Sequence, residues 1–112
     1  MVNSVILVGR LAATPELRQT ADGVSVASVT IVVDRPRKKE DGTRDADFIT
    51  VTAWRSQAEF LCKHFVQGDL ISVVGSIRTR LRTNKDGQEF KSVEVSAEEL
   101  GFCGYRKSQT GE

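Results

Sequence analysis

Phe48 and Trp54 stand six residues apart in the stretch DFITVTAWR (47–55), which holds the only tryptophan of the chain and one of its five phenylalanines. In a strand, alternate side chains share a face. Ile49, Val51 and Ala53 then form an apolar face, and Phe48, Thr50, Thr52 and Trp54 form the opposite one. Two large rings beside two threonines suit a flat ligand better than a core. Unpaired nucleobases stack on aromatic faces whatever their identity, at ~1–3 kcal/mol per base. Six residues of strand separate the two rings by roughly 20 Å, which is room for several nucleotides.

A ligand of stacked bases also carries phosphates, and the distribution of charge fits it. The net charge is only +1, yet Arg35, Arg37, Lys38, Lys39 and Arg44 fall in one ten-residue window. Arg78, Arg80, Arg82, Lys85 and Lys91 form a second cluster. Local sign matters more than the total when the partner is a polyanion. Arg78, Arg80 and Arg82 alternate, so they form a row on one strand face that can pair with phosphates and stack on bases. Such a row is self-repelling, and an anionic ligand would relieve it. In the first cluster Glu40, Asp41 and Asp45 dilute the positive field.

Other chemistries lack their residues. His64 is the only histidine and reads as a partly exposed helix residue. The carboxylates are scattered through turns, so no acid–base pair or activated nucleophile stands out. GDLISVVGS (68–76) is not a phosphate loop, because Ser-Ile follows its second glycine where Lys-Ser/Thr is needed. Cys62 and Cys103 have no C-x-x-C spacing and read as two reduced, buried thiols. No catalysis, metal or cofactor is expected.

The elements that must position these residues follow from pattern. Val2–Leu11 reads as a strand with a bulge or bend at Gly9, and Val24–Val33 as a β-branched strand. The fourteen polar residues from Asp34 to Asp47 read as a long hairpin loop turning at Asp41-Gly42. After the Phe48–Trp54 strand, Ser56–Gln67 reads as the one helix. A capping box of Ser56 and Glu59 opens it, Ala58, Leu61, Cys62 and Phe65 form its apolar stripe, and Gly68 ends it. Asp69–Arg82 is a strand bent at Gly75, NKDGQ (84–88) a hairpin turn and Phe90–Ala97 the last strand, with Glu98–Tyr105 closing the domain. The result is an all-β fold with one helix, five strands with the helix between strands 3 and 4, the layout of an OB-fold barrel. Residues 1–105 form this single domain and 106–112 a short flexible remnant. No apolar run reaches the ~20 residues of a membrane span or the core of a signal peptide. A cytoplasmic, unprocessed protein is expected.

Five segments, taken in order, resemble the bacterial single-stranded DNA-binding proteins, an OB-fold family of homotetramers. They are NSVILVGRLAATPELR (3–18), VSVASVTIVVDRP (24–36), DADFITVTAWRSQAEFL (45–61), GDLISVVGSIRTR (68–80) and DGQEFKSVEVSAEELGF (86–102). The Arg35-Pro36 pair and the Phe/Trp pattern are most similar to the Gram-positive branch. The resemblance implies sequence-tolerant wrapping of single-stranded DNA in replication, recombination, repair or DNA uptake, in the cytoplasm at the nucleoid. It implies stacking on Phe48 and Trp54, contacts from the 35–44 and 78–91 hairpins, and neither catalysis nor a cofactor. It also implies assembly as a dimer of dimers through the first strand: Asn3, Val5, Ile6, Leu7, Val8 and Gly9. The alternative is a dimeric, primosomal-type OB-fold module that binds replication proteins as much as DNA.

Departures of two kinds from the family pattern matter. Arg37 and Arg82 stand where the family often has aromatics, and a third aromatic position falls on Phe90 or, by strict register, on Lys91. Cations in place of rings predict a steeper salt dependence than an aromatic-rich relative shows, by ~0.7 for each phosphate neutralised. Family members usually continue into a flexible linker and an acidic tip that recruits repair and replication enzymes. This sequence ends in GYRKSQTGE (104–112), so tail-mediated recruitment is not expected of it as given.

Overall fold

The computed structural model describes residues 1–103; Tyr105 and the segment 106–112 lie outside the described residues. Six strands and one helix follow in the order β1 (Val5–Leu11), β2 (Arg18–Gln19), β3 (Ser25–Lys38), β4 (Arg44–Trp54), α1 (Ser56–His64), β5 (Leu70–Thr83) and β6 (Glu89–Phe102). The five long strands close into a ring. β1 pairs antiparallel with β5, β5 with β6 and β3 with β4. A short parallel contact joins β4 to β6 at Val51–Val95 and Thr52–Ser96, and β1 meets β3 at Arg10–Val32 and Leu11–Ile31. The fold is therefore a closed five-strand barrel with its helix after the third long strand. The two-residue β2, which pairs with the start of β3, had no apolar pattern to announce it.

The barrel fills with the alternate residues that the strands' parity selects. Ala27, Val29 and Ile31 of β3 meet Val51 and Ala53 of β4, Ile71 and Val73 of β5, and Val95 and Leu100 of β6. α1 packs against this core with Ala58 and Leu61; Phe65 is buried just past its end, and Cys62 is half-buried beside them. Burial pushes the Cys62 thiol up, and both cysteines are free thiols. Outside this plug, Phe102 stacks on Phe65 at 4.8 Å, and Phe60 and His64 meet it edge-on.

Several expectations are corrected. The fourteen-residue loop is largely strand: β3 runs on to Lys38 and β4 starts at Arg44, with a register irregularity between Asp34 and Lys38. This hairpin and the outer half of β5–β6 form two arms that are exposed on both faces. Both arms end in the same turn, in which Lys39 N–H donates to Thr43 O and Asn84 N–H to Gln88 O. Gly42 and Gly87 take the left-handed position there, at φ 89° and 78°, as a three-residue hairpin loop requires. The last strand continues to Phe102, past Ala97.

The helix begins at Ser56 as expected, but its cap and its end differ from the expectation. Arg55, not Ser56, is its N-cap, no side chain caps it, and Glu59 instead accepts a hydrogen bond from Ser25 at 3.2 Å. Phe65 is already extended, so the helix stops at His64, and Gly68 belongs to a separate turn in which Asp69 N–H donates to Val66 O. Gly9 is not a bulge, since the β1–β5 register runs through it unbroken. A Cβ there would lie 2.7 Å from the Val32 carbonyl oxygen, at the crossing where β1 passes from β5 to β3. Gly75 does mark a register shift, and a Cβ there would drive into the Ser96 carbonyl.

Candidate nucleic-acid interface

The outward face of β4 is set by its pairing with β3. Phe48 lies opposite Val32, Thr50 opposite Thr30, Thr52 opposite Ser28, and Trp54 opposite Val26. Phe48 is 70% exposed, Thr50 is exposed and Trp54 is half-buried. Thr52 shares their parity but is only 3% exposed. Its hydroxyl donates to Glu94 Oε2 at 2.9 Å and lies 3.1 Å from the Ser28 hydroxyl, so it lies beneath the surface that the rings form. A cleft of about 320 Å³ opens beside Trp54, lined also by Arg78, Thr79, Arg80, Glu94 and Ser96. The Arg80 guanidinium carbon is 5.8 Å from the centroid of the Trp54 ring, within cation–π range.

The residue after Trp54 turns the chain sharply. Arg55 has φ 57° and ψ −127°, and its N–H donates to Ser25 O at 2.7 Å, tying the end of β4 to β3. Nothing in the sequence signals this position, because an arginine rarely takes a positive φ.

The β3–β4 arm carries mixed charge. Arg35 binds Asp47 through two nitrogens, at 2.9 and 3.3 Å, and Lys39 pairs with Asp45 at 2.9 Å. The hydrogen bond from Arg35 holds the Asp47 carboxyl below the usual carboxylate range, and Asp47 in turn raises Arg35. Asp41 is lowered by hydrogen bonds from the Thr43 side chain and backbone. Lys38 and Arg44 face each other across the strands. Like charges directly opposite destabilise an antiparallel pair, and an anion between them would relieve it. With Arg37 they form the cations of this arm that have no ion pair among the described residues.

On the β5–β6 arm, Arg78, Arg80 and Arg82 pair in register with Glu94, Ser92 and Phe90. Cross-strand partners share a face, so Phe90 lies beside the arginine row, while Lys91, opposite Leu81, lies on the other side. Lys85 is exposed in the turn. Arg80 Nε forms an ion pair with Glu94 Oε1 at 2.7 Å, and Arg82 Nε donates to the Ser92 hydroxyl at 2.9 Å. Glu94 escaped the sequence reasoning. Its signal was there: a single acid in the alternating SVEVS (92–96), which hairpin register sets against the arginines.

The first strand divides by parity. Val5 and Leu7 pack on the core, Gly9 is buried, and Ile6 and Val8 are exposed. The Asn3 amide donates to Ile77 O and accepts from Ile77 N–H, both at 2.9 Å, extending the β1–β5 pairing by one side chain. Among the described residues no strand lies along the other edge of Val5–Val8. Nor is there among them a group of His, Cys, Asp and Glu that could hold a metal ion, or a helix long and apolar enough to cross a membrane.

Comparison with known proteins bears on this arrangement. Residues 2–103 match the model of the single-strand binding protein family. The chain is 44% identical over 110 residues to the single-stranded DNA-binding protein of Halalkalibacterium halodurans, covering 98% of this chain and 66% of that protein. It is 43% identical over 111 residues to the single-stranded DNA-binding protein of Streptococcus pneumoniae serotype 4, covering 99% and 71%. It is 43% identical over 102 residues to single-stranded DNA-binding protein A of Bacillus subtilis strain 168, covering 91% and 59%. The chain thus spans between 59% and 71% of the length of these three Gram-positive relatives.

Proposed function

Since this chain belongs to the single-strand binding protein family, we propose that it binds single-stranded DNA without regard to sequence, in replication, recombination, repair or DNA uptake. The observation that carries the reading is the exposed ring face of β4, flanked by two arms that hold unpaired cations. Bases stack on Phe48, Trp54 and Phe90; Thr50 lines the path between the first two rings. Arg37, Lys38, Arg44, Arg78, Arg82, Lys85 and Lys91 meet the phosphates. Stacking is indifferent to base identity and phosphate contact carries no sequence information, so the combination protects any strand alike. The closed barrel with its helix after the third long strand supports an OB-fold. The open edge of β1, with Ile6 and Val8 outward, supports pairing with a second copy, and two such dimers make the homotetramer. The protein acts as a binding protein in the cytoplasm, where single strands are exposed.

Titration with poly-dT tests this. Trp54 fluorescence should be quenched strongly and stoichiometrically, and Phe48→Ala and Trp54→Ala should each weaken binding about five- to a hundredfold without unfolding the domain. Weak quenching that saturates only at high concentration would overturn the reading. Unfolding by either substitution would assign that ring to the core.

A further inference from the structure

Glu94 is 6% exposed, on the face of β6 that turns toward the ligand. A buried carboxylate is unfavourable unless it is paired and hydrogen-bonded. Both oxygens of Glu94 are engaged: Oε1 forms an ion pair with Arg80 Nε at 2.7 Å, and Oε2 accepts a hydrogen bond from the Thr52 hydroxyl at 2.9 Å. Thr52 is held in turn against Ser28, so β3, β4 and β6 together fix the carboxylate. Register places Arg78, not Arg80, directly opposite Glu94; the ion pair reaches diagonally and selects Arg80. The selected guanidinium is the one that lies against the indole of Trp54, at 5.8 Å.

We infer that Glu94 is a positioning residue that commits Arg80 to the stacking face of Trp54 and withdraws it from phosphate neutralisation. The inference rests on the proposed binding of single-stranded DNA. Arg80 and Glu94 together are neutral, so a phosphate laid beside Arg80 displaces little counterion. Arg82 differs, because its partner is the uncharged Ser92 hydroxyl and its full charge remains for the strand. The alternating arginines therefore divide their work: one extends the indole platform, and its neighbours hold the backbone.

The test is the salt dependence of binding of a labelled dT oligomer, read by anisotropy on the full chain. Arg82→Ala should reduce the slope of log K against log salt by ~0.7, one phosphate on a single strand. The double variant Arg80→Ala, Glu94→Gln, which removes the neutral pair whole, should leave the slope unchanged and lower affinity about two- to fivefold at every salt concentration, the scale of a lost cation–π contact. Glu94→Gln should steepen the slope by up to ~0.7, because Arg80 regains an uncompensated charge. A slope lost in the double variant as in Arg82→Ala, an unchanged affinity of the double variant, or an unchanged slope in Glu94→Gln would each overturn the inference. Should Glu94→Gln not fold, Arg80→Lys decides: it keeps the charge but not the planar face, so the slope must stay as in the wild type while affinity falls at every salt concentration, and an unchanged affinity overturns the inference. Failure of the wild-type chain to bind the oligomer would instead remove the proposed function itself.

Discussion

Arg55 holds a backbone conformation that glycine adopts freely and arginine does not, with φ 57° and ψ −127°. Residues in such regions cost about 1–3 kcal/mol and concentrate at binding sites. Here the turn ends β4 at Trp54 and starts α1, so it fixes the direction from which the indole leaves the barrel. Arg55→Gly should relieve the strain at some cost in chain entropy, for a net gain of about 1 kcal/mol. Urea unfolding checks it, and a loss of stability would show that the guanidinium makes compensating contacts. Side-chain parity made Phe48 and Trp54 legible in the sequence. It misplaced Thr52, because parity names a face and not what covers it: the parallel neighbour β6 brings Glu94 over that threonine.

The arms are the elements that a pattern reading missed, and the reason is physical. Periodicity reveals a strand when one of its faces is buried. Both faces of Asp34–Lys38 and of Arg44–Asp45 are in water, so the strand residues look like loop. The helix cap, though not its first residue, was misread for a related reason. A capping box needs Ser56 in an extended N-cap conformation, but the turn at Arg55 places Ser56 inside the first turn and frees Glu59 to meet Ser25. On the β3–β4 arm the acids modulate the field that the cations present. Asp47→Asn should release Arg35 and steepen the salt slope of dT binding by up to ~0.7, with the unfolding midpoint unmoved because the pair is exposed. The depressed carboxyl of Asp47 gives the same result by titration. Its contribution to the arm is fully present above the unfolded carboxylate range and is lost as pH falls through the lower folded value. The slope should therefore be flat from neutral pH down to about 5 and steepen only in acid, unless Asp47 is unpaired in solution.

At the scale of the whole molecule, near-neutrality conceals a one-sided distribution. Of the ten cations in the two arms, Arg35, Lys39 and Arg80 are matched by carboxylates of the same arm. Seven remain, and at ~0.7 per phosphate they contribute at most about 5 to the salt slope per chain. The substitution of cations for rings at Arg37 and Arg82 predicts a slope steeper than that of an aromatic-rich relative, and the internal pairs limit how far it can go. Titrating dT affinity against salt for both proteins checks this; a slope shallower than the relative's would contradict it. One steeper than about 5 would mean that cations outside the arms join or that the internal pairs open when DNA binds.

Closure of the barrel also has a consequence in time. Val5 finds its partner at Gly75, some seventy residues later, and the ring is completed only when β6 reaches β4. A chain leaving the ribosome therefore carries its first strand unpaired until most of the domain has been synthesised. Contacts of such long range make for folding in milliseconds to seconds rather than microseconds. During that interval β1 has two open edges where the finished barrel leaves it one along Val5–Val8, so the strand proposed to pair with a second copy is also the one longest exposed to a wrong partner.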